Sequence, residues 1–256
     1  MAKSNVPATK STIILDKLIQ ILFSERTFEG CEEFEFRKDL KPFPQGDLIG
    51  DQLWAFFYAC KGDVSAALSL FEKSFSYNEP YFMMNYITYL FDIGFIKKHI
   101  AEIIRANNQI SNSSNFLIHL FDAYLWNGNF EGINKLYQEL DKLNKKDVIS
   151  GLSQRLDSLR QFQTNLKLSD ENMQFLLKTF LDIADTYRLS HSKICCEYYP
   201  DDDINIMILT TNDSDFVRLA KIDGELADKI AKNKHLHDKA FGVSIRYLKS
   251  EYRVIT

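Results

Sequence analysis

The chain has 256 residues, of which 45% are hydrophobic and 13% aromatic, with only 10 glycines and 5 prolines. That balance excludes a disordered or collagen-like chain and favours helices over a loop-rich β protein, with enough length for one large or two modest domains. A formal net charge of −4 gives no general attraction to phosphate backbones or anionic lipid, so neither nucleic acid nor membrane is an expected partner.

The first ten residues are polar and are expected to fray. Thr12 to Ser24 places Ile14, Leu15, Leu18, Ile21 and Leu22 at helical intervals, which predicts an amphipathic helix. Its apolar run, broken by Asp16, Lys17 and Gln20, is too short to span a bilayer, and no secretory signal precedes it; a cytoplasmic protein is the expectation. Glu25 to Gly50 carries the breakers Gly30, Pro42, Pro44, Gly46 and Gly50 and reads as an irregular stretch. Within it, Glu29 to Asp39 interleaves acids with Phe34 and Phe36, a surface suited to a basic protein partner.

Asp51 to Leu143 repeats one pattern three times: an apolar helix, a glycine corner, a second apolar helix. The corners are Gly62, Gly94 and Gly128, spaced 32 and 34 residues apart. Glycine adopts the positive φ that ends a helix, and this period accommodates two short helices with their turns, the range of helical solenoids. Trp54, Ala55, Tyr58, Gly62, Ala67 and Phe71, followed by Pro80, resemble a tetratricopeptide repeat. The second and third copies keep the glycine and the residue four places before it (Leu90, Tyr124), but carry Ile87, His99 and Phe121 where the family has small side chains. The resemblance covers about a third of the chain. It implies stacked helical hairpins whose first helices line a groove for a protein or peptide, with Gln52, Phe56, Met84, Thr88, Phe91, Ile118, Asp122 and Trp126 facing it.

Further along, Val148 to Leu166 reads as a helix that would close the stack. Ser169-Asp170-Glu171 then starts a stronger one, through Phe175, Leu176, Phe180, Ile183, Ala184 and Tyr187. From Lys193 the apolar period becomes two: Ile194–Tyr199 and Ile204–Leu209 predict a hairpin over the turn Pro200–Asp203. A helix capped at Asn212–Asp215 and a strand from Phe241 to Leu248 follow. The expected fold is mainly α, a tetratricopeptide-like hairpin repeat over 1–166. A small α+β module (β-β-α-β) occupies 167–256, with the helix 169–188 as joint.

Little in the chain announces chemistry. Cys31, Cys60, Cys195 and Cys196 lack C-x-x-C spacing, and strand alternation buries one of the adjacent pair and exposes the other. His235 and His237 fall in a loop without a third ligand. Asp201 and Asp203, one residue apart at the mouth of a strand, could hold Mg²⁺ and are similar to the metal motif of nucleotidyltransferases. The glycine-serine turn that such enzymes use for triphosphate is missing, since no glycine lies between Gly151 and Gly224. The sequence therefore points to a non-enzymatic binding protein, an adaptor or a neutralising partner of the antitoxin or immunity kind, with no cofactor. A metal-dependent nucleotidyl or phosphoryl transferase on the C-terminal module is the alternative.

Overall fold

A computed structural model describes residues 9–24, 26–110 and 114–248; the fraying expected of the first eight residues lies outside them. The described residues form eleven α-helices and a small sheet. In order these are α1 (Lys10–Phe23), α2 (Glu32–Leu40), α3 (Leu48–Lys61), α4 (Val64–Phe75), α5 (Pro80–Asp92), α6 (Ile96–Ala106), α7 (Ser114–Trp126), α8 (Phe130–Lys142), α9 (Lys146–Asn165), α10 (Asp170–Thr186), β1 (Lys193–Tyr199), β2 (Ile204–Thr211), α11 (Phe216–Ala231) and β3 (Gly242–Tyr247). No helix among the described residues is long and apolar enough to cross a membrane.

The expected glycine corners are present and share one geometry. Gly62, Gly94 and Gly128 hold φ of 80°, 72° and 62°. In each, the glycine N–H donates to the carbonyl three residues back and the next N–H to the carbonyl five back, as in Gly62 to Ala59 and Asp63 to Tyr58. These bonds satisfy carbonyls that the helix end would otherwise leave bare. Asn144, Lys167 and Arg188 make the same pair of bonds at φ of 55°, 49° and 52°, so the chain turns this way at residues that are not glycine as well.

Contacts divide the chain between Tyr86 and Ile87, within α5, and not near residue 166. In the first unit α3 packs on α1, α2 and α4, with Phe57, Phe71 and Phe75 fully enclosed. The stretch read as irregular contains α2. Glu32, Glu33 and Glu35 suit its positive N-terminal end and Arg37 and Lys38 its C-terminal end. A bidentate Arg26–Glu32 pair and a Glu33–Arg37 pair one turn apart brace it. The helix escapes a pattern search because Leu40 is its one fully buried residue.

In the second unit α9 does not end a stack; it packs on α7, α8, β1 and β2, so the later helices and the sheet share a core. The sheet order is β1-β2-β3, with β1 antiparallel and β3 parallel to β2. Its inner face buries Ile194, Cys196, Met207, Leu209 and Ile245, while Cys195 stays half-exposed on the other face. Burial pushes the Cys196 thiol well above its ordinary value, as it pushes the Cys60 thiol up to about 12.

Candidate functional site

Two features of the second unit share the helices α6 and α7: a cluster of imidazoles, of which His99 is buried and His119 and His191 are half-buried, and an open cleft. The cluster forms around the ring of Phe91, at the end of α5. His99 of α6 stacks on that ring at 4.9 Å, and His119 of α7 and His191 meet it edge-on at 5.7 and 5.0 Å. His99 and His119 are 5.3 Å apart. His191 precedes β1 at a φ of 52°, a conformation that costs a non-glycine residue energy and that its surroundings must enforce. Its backbone N–H donates to the Phe91 carbonyl at 3.2 Å and its Nε2 lies 3.0 Å from Asp92.

His99 is 2% exposed. Its Nδ1 lies 2.8 Å from the Ile87 carbonyl; only a protonated nitrogen can satisfy that oxygen, so in the neutral ring Nε2 carries the bare lone pair. That Nε2 is buried without a hydrogen-bond partner. Burial pushes His99 down to about 3, with His119 adding to the effect and the Ile87 bond opposing it. Burial likewise lowers His119, against the pull of Asp122. Beside them, Asp122 Oδ1 approaches Arg155 Nη2 of α9 at 2.6 Å. The contact is ionic without good hydrogen-bond alignment, and neither atom has another partner. Burial on its own would raise the Asp122 carboxyl, but Arg155 and Lys193 outweigh it and the net direction is down.

The cleft, of about 570 Å³, is walled by Lys97, Ile100, Ala101 and Ile104 of α6 and by Gln174, Leu177, Lys178, Leu181 and Asp182 of α10. Trp126, Asn127 and Gly128 close it at the end of α7. Asp185 on α10 caps α6 by accepting the Lys97 N–H at 3.0 Å, and Asp182 pairs with Lys97 Nζ at 2.7 Å. These acids fix one end of the two walls. The volume is in the range of ligand pockets, and the floor is apolar.

No family model matches the chain, and no curated protein or solved structure matches it.

Of the eight residues expected to face a groove, five are buried: Gln52, Phe56, Phe91, Asp122 and Trp126; Met84, Thr88 and Ile118 are half-buried. Gln52, Phe56 and Met84 belong to the first unit, the other five to the second. Gln52 accepts from Asn85 at 3.2 Å, and Phe56 packs edge-on against Phe71 at 5.1 Å. Phe91 and Asp122 belong to the imidazole cluster, and Trp126 lines the cleft. His99 and Ile87 stood out in the sequence only as residues too large for a repeat; in the structure the His99 ring bonds the Ile87 backbone carbonyl, a contact that the size of the Ile87 side chain does not make.

Elsewhere, three of the four acids of α2 are paired with cations, Glu32 with Arg26, Glu33 with Arg37 and Lys61, and Asp39 with Lys10, while Glu35 accepts from the Cys31 thiol. Phe34, 73% exposed, does not tuck into the helices. Asp201 and Asp203 sit in the exposed β1–β2 turn, where Tyr198 donates its hydroxyl to Asp203 at 3.2 Å. Among the described residues no three His, Cys, Asp or Glu side chains are grouped to hold a metal ion. His235 and His237 are exposed.

Proposed function

We propose that the chain is a non-enzymatic protein-binding module, an adaptor or neutralising partner, whose cleft between α6 and α10 receives an amphipathic helix of another protein. The observation that carries this reading is the cleft itself: two helical walls, an apolar floor of Ile100, Ile104, Leu177 and Leu181, and Trp126 at one end. A helix laid between two helices buries side chains at every third or fourth position, and an aromatic at the end of such a groove is a common energetic anchor. Lys178, exposed on the rim, favours an acidic residue on the incoming helix. The tetratricopeptide-like stacking belongs to the same proposal and is supported by the three glycine corners with identical bonding.

The test is substitution at Ile104, which is 45% exposed and can be changed without opening the core. Ile104→Glu is expected to abolish capture of the physiological partner, identified by affinity purification and mass spectrometry, while far-ultraviolet circular dichroism stays helical. Undiminished capture by a folded Ile104→Glu protein would remove the cleft from consideration.

A further inference from the structure

Helix α6 joins the two features of the second unit. Lys97, Ala101 and Ile104 line the cleft, whereas His99 and Ile103 are buried on the inner side. We propose that proton uptake by the imidazole cluster loosens α6 from its neighbours and opens the cleft, so that the chain holds its partner at neutral pH and releases it in mild acid. The release step rests on reading the cleft as the binding site.

A proton arriving at His99 Nε2 would create a charged donor with no acceptor, since that atom is buried and unpartnered. No carboxylate accepts a hydrogen bond from this atom. On α5, Asp92 lies 3.0 Å from His191 Nε2 with its Oδ1 making no hydrogen bond; on α7, Asp122 pairs with Arg155 of α9 and favours a charged His99 without outweighing burial. On β1, Lys193 adds positive charge near Asp122 and His119. On α10, Asp182 and Asp185 serve the first turn of α6, with Arg188 also on Asp185. On α6 itself, Glu102 pairs with Arg105 at 3.2 Å. His119, 5.3 Å away, repels a second proton.

The sign follows from linkage. In the opened state His99 regains an ordinary affinity for protons, near pH 6.5, while the closed state refuses the proton until about pH 3. Opening therefore grows as pH falls through that window, by about tenfold per pH unit for one histidine.

Hydrogen exchange of the whole protein, followed by mass spectrometry between pH 7 and pH 4.5 and corrected for intrinsic rates, reads this directly and needs no ligand. Peptides of α6 are expected to lose protection about tenfold per pH unit below about pH 6, while α3 and α4, which contain no histidine, do not follow. His99→Gln, whose amide can still donate to Ile87, should flatten the α6 slope; His99→Phe serves if the first variant misfolds. In a Trp54→Phe background, acrylamide quenching of Trp126 should rise over the same range, reporting the cleft. A pH-independent α6, or a slope that survives in the His99 variant, overturns the proposal; so does an acid-loosened α6 with unchanged Trp126 quenching. Failure of the binding reading would appear separately, in the Ile104→Glu capture at neutral pH.

Discussion

Gly62 and Gly94 make the same turn with the same two hydrogen bonds, yet they differ in what a methyl group would meet. A Cβ at Gly62 has open space within 4 Å, whereas one at Gly94 would come within 2.3 Å of the Arg188 backbone. Gly62→Ala should therefore cost only the positive φ, about 1–2 kcal/mol. Gly94→Ala should add overpacking against rigid backbone and cost roughly 3 kcal/mol or more. Urea denaturation of both variants gives the comparison; equal losses would mean that Arg188 yields. The converse applies at Lys167, exposed and held at φ 49°: Lys167→Gly should stabilise the chain by up to about 1 kcal/mol by removing strain. The glycine corners were legible in the sequence because glycine signals positive φ. The corners at Lys167 and Arg188 were not, because neither residue type signals positive φ, whereas the asparagine at Asn144 is a type that adopts it readily.

Among the elements, α3 depends on Asp51, a carboxylate with no exposure. It accepts the Gly46 N–H at 2.8 Å and the Tyr77 hydroxyl at 3.2 Å and pairs with Lys73 Nζ at 2.9 Å, tying a glycine turn and the α4 region to one helix. That bond raises the Lys73 ammonium above its ordinary value. Asp51→Ala would leave the Gly46 amide and the Tyr77 hydroxyl without this acceptor and should destabilise the first unit by roughly 3 kcal/mol, checked by the thermal midpoint. Asp51 marked only the start of a repeat in the sequence, since nothing local shows that a polar residue in a helix will be enclosed. The α2 helix was missed for a related reason: with Leu40 its one fully buried residue and charges along most of its length, it leaves no apolar period to read. Strands β1, β2 and β3 were readable because they are rich in β-branched and aromatic residues, with burial alternating along β1, although β2 buries Met207, Ile208 and Leu209 in succession.

All five histidines of the molecule fall after residue 86, in the second unit. His99 is held down to about 3 and His119 is lowered, both by burial. The unfolded chain then binds protons that the folded chain refuses, so stability is full above about pH 6.5 and is lost as pH falls toward 3. The loss is about 1.4 kcal/mol per pH unit for His99, with His119 adding in the same direction. Chemical denaturation at pH 7 and pH 5 should show this loss in probes of the second unit, and His99→Gln should reduce it. The sequence by itself determined the helical character, the glycine corners and the order of the C-terminal strands, because backbone conformation and apolar period are local properties of neighbouring residues. Tertiary structure alone decided that Phe91, His99, His119 and His191 converge, and that α6 and α10 wall a cleft. Those residues lie up to a hundred positions apart, and only the packing of helices brings their side chains within reach of one another.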